Sequence, residues 1–201
     1  MIATPVDLPS LLSDFFDAHN GNVGEGQVHC PPVGHFQSVQ PSSVPDNYNR
    51  LLNHDAHMTV TVEDFHQSLV DVTVLRMLHS GDSRPPSELR SGHYSREILL
   101  SKRSGGQVVQ YGIVRLNIGR LNPQVWQEIA SRQTPLGRVL INHNVMRQVQ
   151  LNALWQIEAG PHLAEHLNHQ PGDTVYGRTA RIYVDQEPAI ELLEIVTSNQ
   201  T

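Results

Sequence analysis

Tyr94-Ser95-Arg96-Glu97-Ile98-Leu99-Leu100-Ser101, then Lys102-Arg103-Ser104-Gly105-Gly106, then 107–116, reads as a strand, a tight turn and a returning strand. The glycine pair supplies the backbone freedom that a hairpin turn needs. Alternate side chains of a strand share a face, so Tyr94, Arg96, Ile98 and Leu100 point one way and Ser95, Glu97 and Leu99 the other. A second hairpin is expected near the C-terminus, where 179–184 and 189–196 flank Asp185-Gln186-Glu187. Residues 70–75, Val-Asp-Val-Thr-Val-Leu, alternate like a further strand. Strands joined by short turns pair antiparallel, so the expected fold class is α+β, a single antiparallel sheet with helices packed on it.

Outward from that centre, the sequence is punctuated by helices and breakers. Residues 3–18 space Leu8, Leu11, Leu12, Phe15 and Phe16 as one face of a short amphipathic helix. Residues 19–49 are rich in Gly, Pro, Ser, Asn and Gln, with breakers at Pro31-Pro32, Pro41 and Pro45, and read as a loop-rich connector. Residues 60–67 fit a helix or an extended turn. Pro123 opens a helix to about Arg132, with Val125, Trp126, Ile129 and Ala130 on its apolar face. Thr134-Pro135-Leu136-Gly137 is expected as a turn leading into a helix or strand through Val139-Leu140-Ile141. Residues 145–169 read as mainly helical, interrupted at Gly160-Pro161.

Composition excludes several classes. A chain of 201 residues suits one sizeable core. Its formal charge of -6 and the absence of Lys or Arg before Arg50 argue against nucleic-acid binding. The sequence has no apolar run near the ~18 residues that span a bilayer, and no basic, apolar leader at its start. With one cysteine, Cys30, an internal disulfide is excluded, and a cytoplasmic location is expected. An acidic chain that binds a small anion must gather its arginines in one pocket.

Arg96 is the first candidate for such a pocket, because it shares a strand face with Ile98 and Leu100. A guanidinium among apolar neighbours needs an anion, and its planar fork matches a carboxylate. An internal ion pair would satisfy it equally. Pro135 and Gly137 bracket Leu136 in a turn whose backbone amide can face a cavity. Near the C-terminus, Glu191 and Glu194 fall on opposite faces of a regular strand, so only one can face the pocket. Spacing likewise leaves Arg178 and Arg181 as alternatives. His162, His166 and His169 share one helical face without a Cys partner or an HExxH pattern, which favours an ordinary amphipathic helix over a zinc site. Cys30 has no base nearby in sequence, and Gly21, Gly24 and Gly26 follow no strand, so neither a nucleophile nor a phosphate loop is expected.

Four blocks in order, Asp55-Ala56-His57-Met58-Thr59, Tyr94 to Leu100, Thr134-Pro135-Leu136-Gly137-Arg138 and Gly177-Arg178-Thr179-Ala180-Arg181-Ile182, resemble the chorismate lyase (chorismate pyruvate-lyase) family. The likeness runs over roughly 50–196, which implies a chorismate lyase-like domain over 50–201 and an N-terminal helix and loop-rich extension over 1–49. It implies conversion of chorismate to 4-hydroxybenzoate and pyruvate without metal or organic cofactor, feeding quinone biosynthesis, in a monomer or dimer. It implies that Arg96 holds the ring carboxylate, that the main-chain N–H groups of Met58 and Leu136 assist, and that Glu194, with Glu191 as its rival, is the catalytic carboxylate. One of Arg178 and Arg181 would serve a second carboxylate or pair with the glutamate. The same fold also serves as a binding domain for small effectors, which leaves a non-catalytic aromatic-carboxylate binder as the alternative. Residues 152–174 form a longer, histidine-rich stretch than compact members carry.

Overall fold

The computed structural model describes residues 5–20, 26–79, 85–145 and 147–198. Among the described residues, nine strands form one sheet: β1 (His19–Asn20), β2 (Gln27–Cys30), β3 (Gly34–Val39), β4 (Val70–His79), β5 (His93–Lys102), β6 (Val108–Asn117), β7 (Arg147–Ala159), β8 (Thr174–Val184) and β9 (Glu187–Val196). Their spatial order is β1-β2-β3-β7-β8-β9-β6-β5-β4, and every neighbouring pair is antiparallel. The α+β fold class read from the two hairpins is therefore the one observed. Asp185 and Gln186, both at positive φ (51° and 68°), make the β8–β9 turn without a glycine.

The sheet has a core on each face. On one, α2 (Asp46–Leu52), α3 (Met58–His66), α4 (Pro123–Ser131) and α5 (Leu136–Asn142) bury Leu51, Val62, Trp126 and Leu140 over Ile98, Val114 and Leu192. On the other, α1 (Leu8–Leu12) and α6 (Pro161–Leu167) bury Leu11, Leu12, Leu163 and Leu167 over Tyr111, Ile113 and Ile195. The helix ends carry their own signals. Asn122 caps α4 by accepting the Gln124 N–H at 2.9 Å, with Pro123 next, and Arg132 closes the helix in the left-handed region. No helix among the described residues is long and apolar enough to cross a membrane.

Three local expectations are corrected. Residues 147–159, read as mainly helical, form the longest strand of the sheet. Their Gln, Leu, Ala and Glu favour helices locally, but pairing with β3 and β8 overrides propensity. A register shift between Leu151 and Ala153 also breaks the alternation that would have betrayed the strand. The supposed connector over 19–49 supplies β1, β2 and β3, and its prolines lie at turns and helix starts rather than within strands. The N-terminal helix is shorter than 3–18; it covers Leu8–Leu12, and the first four residues of the chain lie outside the described ones.

Candidate functional site

A cavity lies between the sheet and the four-helix layer. Its floor has three strips: Arg96, Ile98 and Leu100 on β5, Gln110, Gly112 and Val114 on β6, and Leu192 with Glu194 on β9, with Arg178 beyond on β8. Cross-strand pairing aligns them, since Arg96 lies opposite Val114, Gly112 opposite Glu194, and Glu194 opposite Arg178. The roof is made by the starts of two helices. Met58 is the first residue of α3 and Leu136 the first of α5, and both line the space. First-turn N–H groups have no partner within their own helix. The two starts meet because residue 137 is glycine: a Cβ there would come within 2.7 Å of Thr59 Oγ1. Two blocks far apart in sequence thereby close over one site.

Arg96 is 1% exposed. Its Nη1 donates to the Ile129 carbonyl at a long 3.4 Å, and its buried Nε has no partner among the described residues. Among the described residues it forms no ion pair. Burial pulls its pKa below the ordinary arginine value, partly opposed by Tyr94. Removing a cation from water without a counter-ion costs several kcal/mol in order of magnitude, so this arrangement is one that an anion would relieve.

Arg178, also fully buried, is the opposite case. Its Nε donates to Glu194 Oε2 at 2.7 Å, Nη1 to the carbonyls of Leu52 (3.3 Å) and His54 (2.8 Å), and Nη2 to the Ala56 carbonyl at 3.2 Å. It therefore fixes Glu194 and fastens the chain leading into Met58. His57 also lines the cavity and accepts a hydrogen bond from Arg147 Nε. Burial, then the charges of Arg147 and Arg178, lower its pKa to about 4, so it is neutral near pH 7. With Arg178 and Glu194 offsetting each other, the described lining residues carry one uncompensated positive charge, on Arg96.

Of the residues singled out from sequence, Met58, Arg96, Leu136, Arg178 and Glu194 come together around this cavity. Arg181 does not. It lies on the opposite face of β8, where its Nη2 donates to Glu191 Oε1 at 2.6 Å, and Glu191 also meets Arg115. Strand alternation separates Arg178 and Glu194 from Arg181 and Glu191, which corrects the expectation that Arg181 could contact ligand. Gln110, Gly112, Thr59 and His57 escaped the sequence reading as lining residues. Gln110 had a visible signal, being a polar residue on the same strand parity as Gly112 and Val114. The histidines of α6 go elsewhere: His162 Nε2 lies 2.5 Å from Glu97 Oε1, and the His162 and His166 rings meet edge-on at 4.5 Å.

No protein-family profile and no curated protein matches the sequence. Solved structures do match the fold. The effector domain of PhnF from Mycobacterium smegmatis superposes with a TM-score of 0.51 at 10% identity, covering 73% of this chain and 91% of that one. The longer PhnF chain from the same organism gives 0.50 at 9% identity, over 73% of this chain and 66% of that one. The ligand-binding domain of a candidate GntR-family transcriptional regulator from Bordetella bronchiseptica gives 0.46 at 15% identity, over 65% and 87%. The chain has the chorismate lyase-like fold.

Proposed function

We propose that the cavity binds a small aromatic carboxylate on Arg96, and that the protein acts as a chorismate pyruvate-lyase without metal or organic cofactor. The observation that carries the reading is the buried, unpaired Arg96 guanidinium in a cavity that also holds Glu194. A planar anion laid on the floor would place its carboxylate on Arg96, and the N–H groups of Met58 and Leu136 lie at the roof to share that charge. The ring would pack on Ile98, Val114 and Leu192, with its far substituent toward Glu194.

The chemistry asks little beyond positioning. In chorismate the C3–O ether bond breaks and the C4 hydrogen leaves, which makes the ring aromatic; the enolpyruvyl carbon gains a proton and is released as pyruvate. Atoms and electrons balance without a redox partner. The protein's contribution is to hold one reactive conformer in a dry site and to stabilise charge developing on the departing oxygen. Glu194, oriented by Arg178, is positioned to orient the C4 hydroxyl or relay the proton.

The test is incubation of the purified protein with chorismate in the absence of added metal. Equal amounts of 4-hydroxybenzoate and pyruvate support the reading, provided that Arg96→Ala abolishes their release. Release of 3-hydroxybenzoate or salicylate would keep the site and change the product. A second reading, a binder that does not convert its ligand, is favoured by the likeness to the PhnF effector domain. Tight 4-hydroxybenzoate binding with no pyruvate released would select it.

A further inference from the structure

Besides Arg96, the cavity floor presents a second buried side chain with an unmet polar atom. Gln110 is 3% exposed and lines the cavity from β6, and its Oε1, a hydrogen-bond acceptor, has no partner among the described residues. A buried acceptor that receives no donor loses its hydration without return. The sheet sets this residue beside the carboxylate of the site. Gly112 lies opposite Glu194 and Gln110 opposite Val196, so Gln110 and Glu194 are diagonal neighbours on adjacent strands, and both line the cavity. Diagonal neighbours lie roughly 7–8 Å apart, within reach of long side chains. Arg96 lies opposite Val114, on the other side of the Gly112 row from Gln110. The floor therefore has a cation toward one end and two acceptors toward the other.

A para-substituted benzoate held at Arg96 ends near Glu194. A hydroxyl there has one proton; once that is donated to the Glu194 carboxylate, the oxygen offers only lone pairs to Gln110 Oε1, and two acceptors do not bond. We propose that Glu194 and Gln110 together form a two-acceptor subsite, which selects a ring whose far substituent brings two N–H donors, a primary aryl amine. One N–H is donated to the Glu194 carboxylate and the other to Gln110 Oε1, while the ring carboxylate stays on Arg96. The inference rests on the aromatic-carboxylate reading above and deepens it by assigning the polar end of the ligand. An aryl amine is uncharged near pH 7, so it offers both donors without setting a second cation beside Arg178, whose Nε already lies 2.7 Å from Glu194 Oε2.

The test compares the Kd of 4-aminobenzoate with that of 4-hydroxybenzoate, by calorimetry, on wild type, Gln110→Leu and Gln110→Met. One more hydrogen bond, made to an acceptor that otherwise has none, predicts that wild type binds the amine about fivefold more tightly. Both variants remove the acceptor, so the preference should shrink to less than about twofold. Their melting temperatures should hold or rise, because an unsatisfied polar atom is gone. Equal affinities in wild type, tighter binding of the hydroxyl ligand, or a preference for the amine that survives in both variants would overturn the subsite. If wild type binds neither ligand, the aromatic-carboxylate reading itself fails, an outcome distinct from tight binding of both without preference.

Discussion

A buried cation without a counter-ion is a cost carried by the free protein, and this makes Arg96 testable by stability as well as by binding. Arg96→Met keeps most of the side-chain volume and removes the charge. Even a buried ion pair is often replaced by apolar residues with a neutral or stabilising effect of about 1–4 kcal/mol, and a lone buried cation has no partner charge to lose. The variant should melt at or above the wild-type temperature while losing the thermal shift that 4-hydroxybenzoate gives the wild type. A structural ion-pair arginine would do the reverse and lower the melting temperature. Glu194→Gln should keep ligand binding and reduce turnover, because the isostere preserves shape but neither charge nor proton relay. The burial of Arg96 was legible in the sequence because strand parity set an arginine among aliphatic residues; a ligand role for it came from the resemblance. Arg178 against Arg181 was not, since that choice depends on which face of β8 the helices cover.

The starts of α3 and α5 approach closely where Gly137 faces Thr59. Gly137→Ala would drive a methyl group into the Thr59 side chain and should cost about 1–3 kcal/mol, as overpacking typically does. Thr59→Ala in the same chain should recover part of this in denaturant titrations, and additive losses would contradict the contact. On the other face, Glu97 is fully buried and receives hydrogen bonds from Tyr111 (2.8 Å), Arg76 (2.5 Å) and, according to tautomer, His162. Burial raises its pKa, but these donors outweigh burial and leave it below the ordinary carboxylate value. The stabilisation is therefore present above the unfolded-state pKa and lost as pH falls through the folded one. His57 acts over a higher range: its pKa falls from 6.5 unfolded to about 4 folded, so its share is present above 6.5 and declines toward 4. Acid titration of stability should show a first decline between these values that lessens in His57→Gln, His54, His66 and His166 being lowered as well, and a later one that lessens in Glu97→Gln. The strands of the two hairpins were readable from alternation and turn residues. β7 was not, because its bulge breaks the period and its composition favours a helix.

Across the whole molecule, the N-terminal part contributes three strands, β1, β2 and β3, to the sheet. β3 pairs with β7 from Gly34–Ala159 to Val39–Leu154, and Phe36 packs edge-on against Trp155. Asp14 accepts from Ser95 Oγ and from Arg115, which fastens the segment after α1 to β5 and β6. Removal of residues 1–49 should therefore leave 50–201 aggregated or molten, seen as loss of a cooperative thermal transition; a cooperative, ligand-binding fragment would contradict this. Proline content concealed these strands, because breakers mark turns without revealing what pairs between them. Ligand binding should in turn stabilise the full chain by about 2.7 kcal/mol at a hundredfold excess over Kd. The most direct measurement is a crystal structure of the full chain with 4-hydroxybenzoate. The carboxylate is predicted within hydrogen-bonding distance of the Arg96 guanidinium, with the hydroxyl toward Glu194. A ligand bound elsewhere, or one in this cavity with Arg96 still unpaired, would contradict the assignment.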